Sequence, residues 1–244
     1  MNVLKTFSIT DVGKKRMNNQ DYVYTSETPV GNLPNLFLVA DGMGGHNAGD
    51  YASRCAVETI CQVAEQSMEK DPKLIMKKAI ETANETVYQR STQEPELEGM
   101  GTTIVAATCM GPYVQIANVG DSRLYVIGDT IQQITQDHSW VEEMVRMGAL
   151  EKEDARTHAK KNIITRALGA GNGVEIDFFS VELKPQEMLL MCSDGLTNML
   201  EDEEIRMIVM GQRDIVEKAE VLVREANKRG GTDNISVVLV EPVA

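Results

Sequence analysis

The sequence is poor in the residues that most often build zinc sites and disulfide frameworks. Only three of its 244 residues are histidines, and four are cysteines. No two histidines have the His-x-x-x-His spacing of a helical zinc site, and no Cys-x-x-Cys pair occurs. The cysteines lie in apolar stretches, which favours buried free thiols: Cys55, Cys61, Cys109 and Cys192. A zinc-dependent or disulfide-stabilised protein is therefore disfavoured.

Long apolar runs and a surplus of positive charge are also missing. No stretch approaches the ~18 apolar residues of a membrane-spanning helix, and the first ten residues lack the apolar segment of a signal peptide. Lysine and arginine number 24 against 37 acidic residues, which gives a net charge of −13. This charge disfavours binding to nucleic acid or to an anionic membrane surface. We therefore expect a cytoplasmic protein without membrane insertion or nucleic-acid partners.

The apolar pattern alternates between strand-like and helix-like periods. Strands are predicted at Val3–Thr10, Asp21–Ser26, Asn35–Ala40, Thr102–Cys109, Tyr113–Val119, Ser122–Ile127, Thr130–Thr135, Glu175–Glu182, Glu187–Ser193 and Ile235–Val240. Helices are predicted around 52–63, 75–87, 201–210 and 215–228, with a short polar helical excursion at 139–158. Helix pairs inserted between groups of strands predict an α+β fold of packed antiparallel sheets covered by helices. No repeat or linker is visible, so 1–244 is predicted to be one domain.

Several aspartates stand at the ends of predicted strands. They are Asp21, Asp41, Asp121, Asp194 and Asp233. Strand ends meet at one edge of a sheet core, where several carboxylates would repel each other unless a divalent cation lay between them. Oxygen ligands of this kind select Mg²⁺, Mn²⁺ or Ca²⁺, and the Gly42 carbonyl is a candidate further ligand. Any single one of these aspartates is better explained by an ordinary turn. Four of them directly after or before an apolar strand favour a metal cluster: Asp41, Asp121, Asp194 and Asp233.

Two neighbouring divalent cations can activate water and clamp phosphoryl oxygens, so phosphoester hydrolysis is the chemistry that this cluster suggests. Arg16 lies in the loop that leads to Asp21 and can bind phosphate oxygens in bidentate fashion. No Cys-x5-Arg nucleophile loop is present. Ser193 and Thr197 are interpreted as packing or hydrogen-bonding residues.

Eight segments in order resemble the metal-dependent protein phosphatases of the PPM, or PP2C-like, group, over essentially the whole chain. They are RMNNQD (16–21), DGMGGHNAGD (41–50), GMGTTIV (99–105), GDSRLY (120–125), DHS (137–139), NIITRALG (162–169), CSDGLTN (192–198) and GGTDNISVVLV (230–240). The match is closest to the compact bacterial branch, whose members commonly oppose serine/threonine kinases. The resemblance implies an αββα sandwich of two mainly antiparallel sheets flanked by helix pairs, with a flap at about 139–165.

The resemblance also implies roles for the residues. Asp41 would bridge two metal ions, with the Gly42 carbonyl on one and Asp194 and Asp233 on the other. Asp121 and Asp194 would hold a third ion, Asp21 would orient metal-bound water, and Arg16 would bind the substrate phosphate.

The chain departs from the family pattern at two positions. Met43 stands where animal members carry a histidine proposed as the general acid, which leaves a metal-bound water or His46 as proton donor. Gln20 stands where an acidic residue often precedes Asp21.

We therefore expect a phosphoserine/phosphothreonine protein phosphatase that uses two or three Mn²⁺ or Mg²⁺ ions. A hydroxide bridging the metals would attack phosphorus in line, and the enzyme would be a monomer that opposes a bacterial kinase. Three alternatives remain at this point: a phosphatase for small phosphoesters, an inactive relative that binds phosphoproteins, and a calcium-binding module. The last lacks an EF-hand loop.

Overall fold

The computed structural model describes residues 3–45 and 48–243, which form two antiparallel β-sheets packed face to face with helices on both outer sides. The strands are β1 (Val3–Asp11), β2 (Asp21–Ser26), β3 (Leu36–Met43), β4 (Gly101–Thr102), β5 (Ile104–Met110), β6 (Tyr113–Val119), β7 (Arg123–Ile127), β8 (Ile131–Gln133), β9 (Asp177–Glu182), β10 (Met188–Cys192) and β11 (Ile235–Val243). The helices are α1 (Ala48–Gln66), α2 (Pro72–Gln93), α3 (Trp140–Arg146), α4 (Lys152–Ala155), α5 (Asp194–Thr197), α6 (Asp202–Val209) and α7 (Ile215–Lys228).

The order of strands differs from their order along the chain. One sheet runs β1-β11-β10-β7-β8, and the other runs β2-β3-β5-β6-β9 with the short β4 attached to β3. The last strand, β11, is thus an inner strand, paired with β1 on one side and β10 on the other. Elements from both ends of the sequence are therefore needed to complete the first sheet.

Strand β3 shows why these residues form an inner layer. Phe37 and Val39 belong to the apolar cluster between the sheets, whereas Leu38 and Ala40 belong to the cluster under α1 and α2. Successive strand side chains point to opposite faces, so a strand covered on both sides must be apolar at every position. The continuous apolar run before Asp41 is the sequence signature of that double burial.

The helices complete the layers on the outside. Helices α1 and α2 cover the second sheet, while α6 and α7 cover the first. Asp71 caps α2 by accepting a hydrogen bond from Lys73 N, and Pro72 occupies the first helical position, where its missing N–H costs nothing. The structure thus confirms the predicted αββα sandwich.

Three details differ from the sequence prediction. Strand β3 continues through Asp41 to Met43, because β4 pairs with Gly42 and Met43 and extends the ladder. The short helix α5 follows β10 directly and was not predicted, since four residues carry no periodic signal. The predicted strand at 130–135 is reduced to β8, Ile131–Gln133. Within the described residues, no helix is long and apolar enough to cross a membrane.

Candidate metal centre

Asp21 and Asp41 are directly opposite each other on the neighbouring strands β2 and β3. Asp21 is buried, with 4% of its surface exposed. Ser193 Oγ donates a hydrogen bond of 2.7 Å to Asp21 Oδ2, which fixes this carboxylate from the other sheet. The two carboxylates therefore mark the same end of the sandwich.

The backbone of Asp41 is held by hydroxyl groups from the segment beside it. Its N–H donates to Thr103 Oγ1 at 2.9 Å, and its carbonyl accepts from Thr102 Oγ1 at 2.9 Å. Thr103 Oγ1 lies 2.8 Å from the hydroxyl of Ser122, which follows Asp121 in the chain. These buried hydroxyls link the segments that carry two of the aspartates.

Glycine at position 42 is required by close packing. A Cβ placed there would lie 2.0 Å from the carbonyl oxygen of Gly49 in the first turn of α1. The Gly42 N–H also donates to the carbonyl of Gln20 at 3.0 Å. The glycine thus lets α1 and the loop before β2 come close to the backbone beside Asp41.

Asp194 begins α5 immediately after the buried strand β10 and Ser193. Asn198 Nδ2 donates to Asp194 Oδ2 at 2.8 Å, so one turn of helix orients the carboxylate. A Cβ on Gly195 would lie 1.9 Å from the carbonyl oxygen of Asn234, which explains the glycine after the aspartate. The Asp194 loop is consequently packed against the start of β11.

Asp233 lies just before β11 and forms an ion pair with Arg16, whose Nη2 is 2.8 Å from Asp233 Oδ2. The arginine side chain is half exposed, with 51% of its surface accessible, and the aspartate is 24% exposed. The guanidinium therefore stands at the rim of the aspartate group, where an incoming anion can reach it.

Asn234 holds the Arg16 loop in place. Its Oδ1 accepts from Gln20 N at 2.8 Å, while its Nδ2 donates to the carbonyls of Val12 and Asn18 at 2.9 and 3.0 Å. The loop is pinned at both of its ends by one side chain. Sequence reasoning assigned no role to Asn234, because these partners lie more than 210 positions away in the chain.

Asp121 follows β6 and is buried, with 6% of its surface exposed. The preceding Gly120 has φ of 109°, and a Cβ there would lie 2.5 Å from Thr103. His138 fixes this turn: its imidazole Nδ1 accepts from Gly120 N at 2.9 Å, and its backbone N–H donates to the Gly120 carbonyl at 3.0 Å. The imidazole Nε2 lies 3.1 Å from Asp177.

The electrostatics of the site reflect buried carboxylates near each other. Burial raises the pKa of Asp21 to about 7, with further upward contributions from Asp194 and Asp233. Burial, and then the charge of Asp233, raise the pKa of Asp194 to about 6. The pKa values of Asp41 and Asp121 are also raised, first by burial and then by neighbouring aspartates. A bound cation would offset the repulsion among these carboxylates at neutral pH.

The donor atoms fit a hard divalent cation. One carboxylate oxygen on each of three aspartates is buried without a hydrogen-bond partner: Asp21 Oδ1, Asp121 Oδ1 and Asp194 Oδ1. A buried, unpaired carboxylate oxygen is costly, and oxygen-only ligation is the preference of Mg²⁺ and Mn²⁺. Among residues 3–45 and 48–243, no three acidic, histidine or cysteine side chains already surround one point as an ion's ligands. An ion held by several of these carboxylates would require them to move closer together.

A cavity of about 370 Å³ lies between Asp121 and Asp194 on one side and the segment at 139–165, the predicted flap, on the other. On the flap side it is lined by Glu142, Arg156 and Lys161. Arg156 Nη2 donates to the carbonyls of Thr197 and Leu200 at 2.9 and 3.0 Å, and its Nε lies 3.0 Å from a Glu201 carboxylate oxygen. One flap arginine therefore joins the flap to the helix that begins with Asp194.

The structure brings the predicted residues to one end of the sandwich: Arg16, Asp21, Asp41, Gly42, Asp121, Asp194 and Asp233. Ser193 makes a hydrogen bond, as predicted. Sequence reasoning missed Thr103, Asn198 and Asn234, whose only signal was their position beside the aspartate segments. His46, considered as a proton donor, lies outside the described residues.

Comparisons with known proteins agree with this geometry. The protein phosphatase 2C family profile matches residues 13–238. The serine/threonine phosphatase stp of Listeria welshimeri is 43% identical over 237 residues, which cover 95% of this chain and 93% of that protein. The serine/threonine phosphatase of S. agalactiae superposes with a TM-score of 0.90 at 36% identity, covering 99% of this chain and all of that one.

A third relative was solved with metal. The catalytic domain of the phosphatase PstP, in complex with two manganese ions, superposes with a TM-score of 0.88 at 32% identity and full coverage of both chains. Family profile, sequence identity and fold agree over nearly the whole length. The chain belongs to the protein phosphatase 2C family.

Proposed function

We propose that the protein is a metal-dependent serine/threonine phosphatase that hydrolyses phosphoserine and phosphothreonine in other proteins. The observation that carries this proposal is the convergence of buried, partly unpaired carboxylates beside the half-exposed Arg16. The serine/threonine phosphatases similar to this chain, one of them solved with two manganese ions, support the same chemistry.

We assign the metal ligands by position. Asp41 and the Gly42 carbonyl would contribute to holding two Mn²⁺ or Mg²⁺ ions, and Asp194 and Asp233 would be further ligands. Asp121 and Asp194 take a third ion, which is supported by the unpaired Oδ1 atom on each. When bound, the cations supply a nucleophilic hydroxide for in-line attack on phosphorus and neutralise the phosphoryl oxygens.

The chain's own residues orient the reactants. Ser193 occupies Asp21 Oδ2, so Asp21 Oδ1 is the atom left to accept a proton from the attacking water. Arg16 binds the substrate phosphate, and its guanidinium must then turn from Asp233 towards the incoming anion. Met43 has no proton to donate, so a water molecule or His46 is the proposed source of the proton for the leaving alcohol.

The remaining assignments concern the setting in which the enzyme acts. We assign residues 1–244 to one catalytic domain with a flap at about 139–165. A cytoplasmic location is supported by four free cysteines. A monomer suffices because one chain supplies every proposed ligand, and a serine/threonine kinase with its substrates is the expected source of phosphoproteins.

The test is hydrolysis of a phosphothreonine peptide with Mn²⁺, with EDTA, and by Asp194→Ala and Asp194→Asn in Mn²⁺. We expect turnover that requires metal and is lost in both variants. Asp129→Asn, in the exposed hairpin turn between β7 and β8, is the matched control and keeps full activity. Metal binding by calorimetry without any turnover would assign the chain to phosphoprotein binding instead. Turnover of small phosphoesters but not of the phosphopeptide would identify a small-molecule phosphatase instead.

A further inference from the structure

A second concave surface lies beside the segment that follows Asp41. It is an open groove of about 570 Å³ between the last turns of α2, the segment before β4 and residues 167–170. Its apolar lining includes Met43, Tyr88, Pro95 and Met100. The volume falls in the range of sites that accept a side chain or a small ligand. No step of the proposed reaction uses this groove.

Met43 connects the groove to the reaction site. It lies on β3, two residues beyond Asp41, which corresponds to about 7 Å along a strand. Its side chain lies over Gly101, where an added Cβ would be 3.5 Å from Met43 Cγ. The residue that follows the metal-bridging Asp-Gly pair therefore forms part of an apolar wall.

The size and chemistry of the groove select one kind of occupant. An extended peptide also advances about 3.3 Å per residue, so a side chain two positions from the phosphorylated residue is displaced by the same ~7 Å. Among the lining residues only Glu98 is charged, and it is exposed at the rim. An acidic side chain would meet a like charge there, whereas an aliphatic one would be removed from water against Met43 and Met100.

We propose that this groove is a substrate subsite that receives an aliphatic residue two positions from the phosphothreonine or phosphoserine. The phosphatase therefore prefers phosphorylated segments with leucine, isoleucine or methionine at that distance, and discriminates against aspartate and glutamate there. The proposal rests on the proposed function and adds a sequence preference to it.

The test uses phosphothreonine peptides that differ at one position. A parent peptide has alanine on both sides, and its relatives carry leucine or aspartate two residues before or two residues after the phosphothreonine. We expect leucine on one of the two sides to raise kcat/KM roughly three- to tenfold over alanine, mainly through KM. Aspartate at that position lowers it.

Thr92→Trp fills the groove from α2, and Ala170→Trp fills it from the opposite wall; both positions are exposed. Each variant is expected to reduce the ratio of kcat/KM for the leucine peptide to kcat/KM for the alanine peptide to near 1. Gln93→Trp, at the next exposed position of α2 and outside the groove, is the matched control and keeps the ratio. Two filling variants guard against misfolding of either one, which circular dichroism would report.

Each outcome decides the question. Turnover of all peptides at equal rates would overturn the subsite and leave the proposed function intact. Absence of turnover with every peptide would overturn the function and the subsite together. A concentration-dependent dimer that Thr92→Trp dissociates would assign the groove to self-association, which also overturns the subsite.

Discussion

Arg16 and Asp233 form an ion pair of 2.8 Å across 217 positions of sequence, at the rim of the buried carboxylates. The pair places the proposed phosphate-binding residue on a proposed metal ligand. The Arg16 guanidinium and a metal ion would therefore compete for the Asp233 carboxylate. The negative charge of the partly buried Asp41 and Asp194 and of the buried Asp121 would attract the metal, while Arg16 would compete for one of its ligands.

Replacing Arg16 is predicted to separate these two effects. Arg16→Ala frees Asp233, and since a half-exposed ion pair contributes about 0.5–1 kcal/mol, Mn²⁺ should bind about two- to fivefold more tightly. The same variant loses a charge-assisted contact to phosphate, so KM for a phosphopeptide should rise roughly tenfold or more. Calorimetry with Mn²⁺ and steady-state kinetics measure the two changes. Lys15→Ala, in the same exposed loop, should alter neither one, and weaker Mn²⁺ binding by Arg16→Ala would contradict the competition.

Removal of metal is predicted to make stability depend on pH in a defined direction. The folded-state pKa of Asp21 is raised to about 7 and that of Asp194 to about 6, above the ordinary range near 4 of an unfolded chain. The folded protein then holds more protons than the unfolded one between about pH 4 and 7, so the free energy of unfolding falls as pH rises through this window. Urea titrations in EDTA at several pH values should show this decrease.

Two controls isolate the carboxylates in that experiment. Asp21→Asn removes one titrating group and should flatten the decrease between pH 5 and 7 in EDTA. Excess Mn²⁺ should raise stability at pH 7 by about 2.7 kcal/mol at a free concentration of 100 times Kd. A metal-free protein whose stability increased from pH 5 to 7 would be at odds with the raised pKa values.

Asn234→Ala is predicted to destabilise the fold and to loosen the Arg16 loop. It removes the three hydrogen bonds from the Asn234 side chain to the Arg16 loop, at about 1 kcal/mol each, which gives a loss of roughly 2–4 kcal/mol in the free energy of unfolding by urea. Mispositioning of Arg16 should also raise KM. Asn32→Ala is the matched control, because the exposed Asn32 makes only hydrogen bonds to Ser67 and Glu69 carbonyls and should cost less than about 1 kcal/mol. Equal losses of stability in Asn234→Ala and Asn32→Ala would show that the Asn234 hydrogen bonds contribute no more than those of a surface asparagine.

Arg156→Lys is predicted to release the flap from α5. Lysine keeps the charge but cannot donate to the carbonyls of Thr197 and Leu200 while pairing with Glu201. Chymotrypsin should cut within residues 140–163 roughly three- to tenfold faster, with little change in overall stability. Arg146→Lys, exposed on the same flap, serves as the comparison and should leave the cleavage rate unchanged. An unchanged cleavage rate for Arg156→Lys would show that the Arg156 contacts do not hold the flap in place.

The aspartates of the site could be predicted because they stand at the ends of strands that are recognisable in the sequence. Asp21, Asp121, Asp194 and Asp233 each adjoin an apolar strand, and antiparallel pairing brings such ends together at one edge of the sandwich. Asp41 was found by the same reasoning although β3 runs on past it to Met43. The packed antiparallel sheets with helices outside were predicted from the order of strands and helix pairs, and the αββα sandwich itself from the family resemblance.

The parts that escaped prediction depend on contacts between distant segments. Asn234 was visible only as the end of a Thr-Asp-Asn turn, and its bonds to Val12, Asn18 and Gln20 follow from the pairing of β11 beside β1. The Arg156 contact depends on where the flap folds back. Close approaches such as Gly195 against Asn234 are equally hidden, because a glycine in sequence does not reveal what it faces.

The inner position of β11 has a consequence for biosynthesis. While residues 233–243 are still inside the ribosome, the position between β1 and β10 in the sheet is unfilled. Asp233 and Asn234 are then also missing from the site. Exposed strand edges of this kind invite intermolecular pairing, so the nascent chain depends on prompt arrival of its last strand. We therefore expect hydrolytic competence to require that residues 233–243 have emerged and paired with β1 and β10.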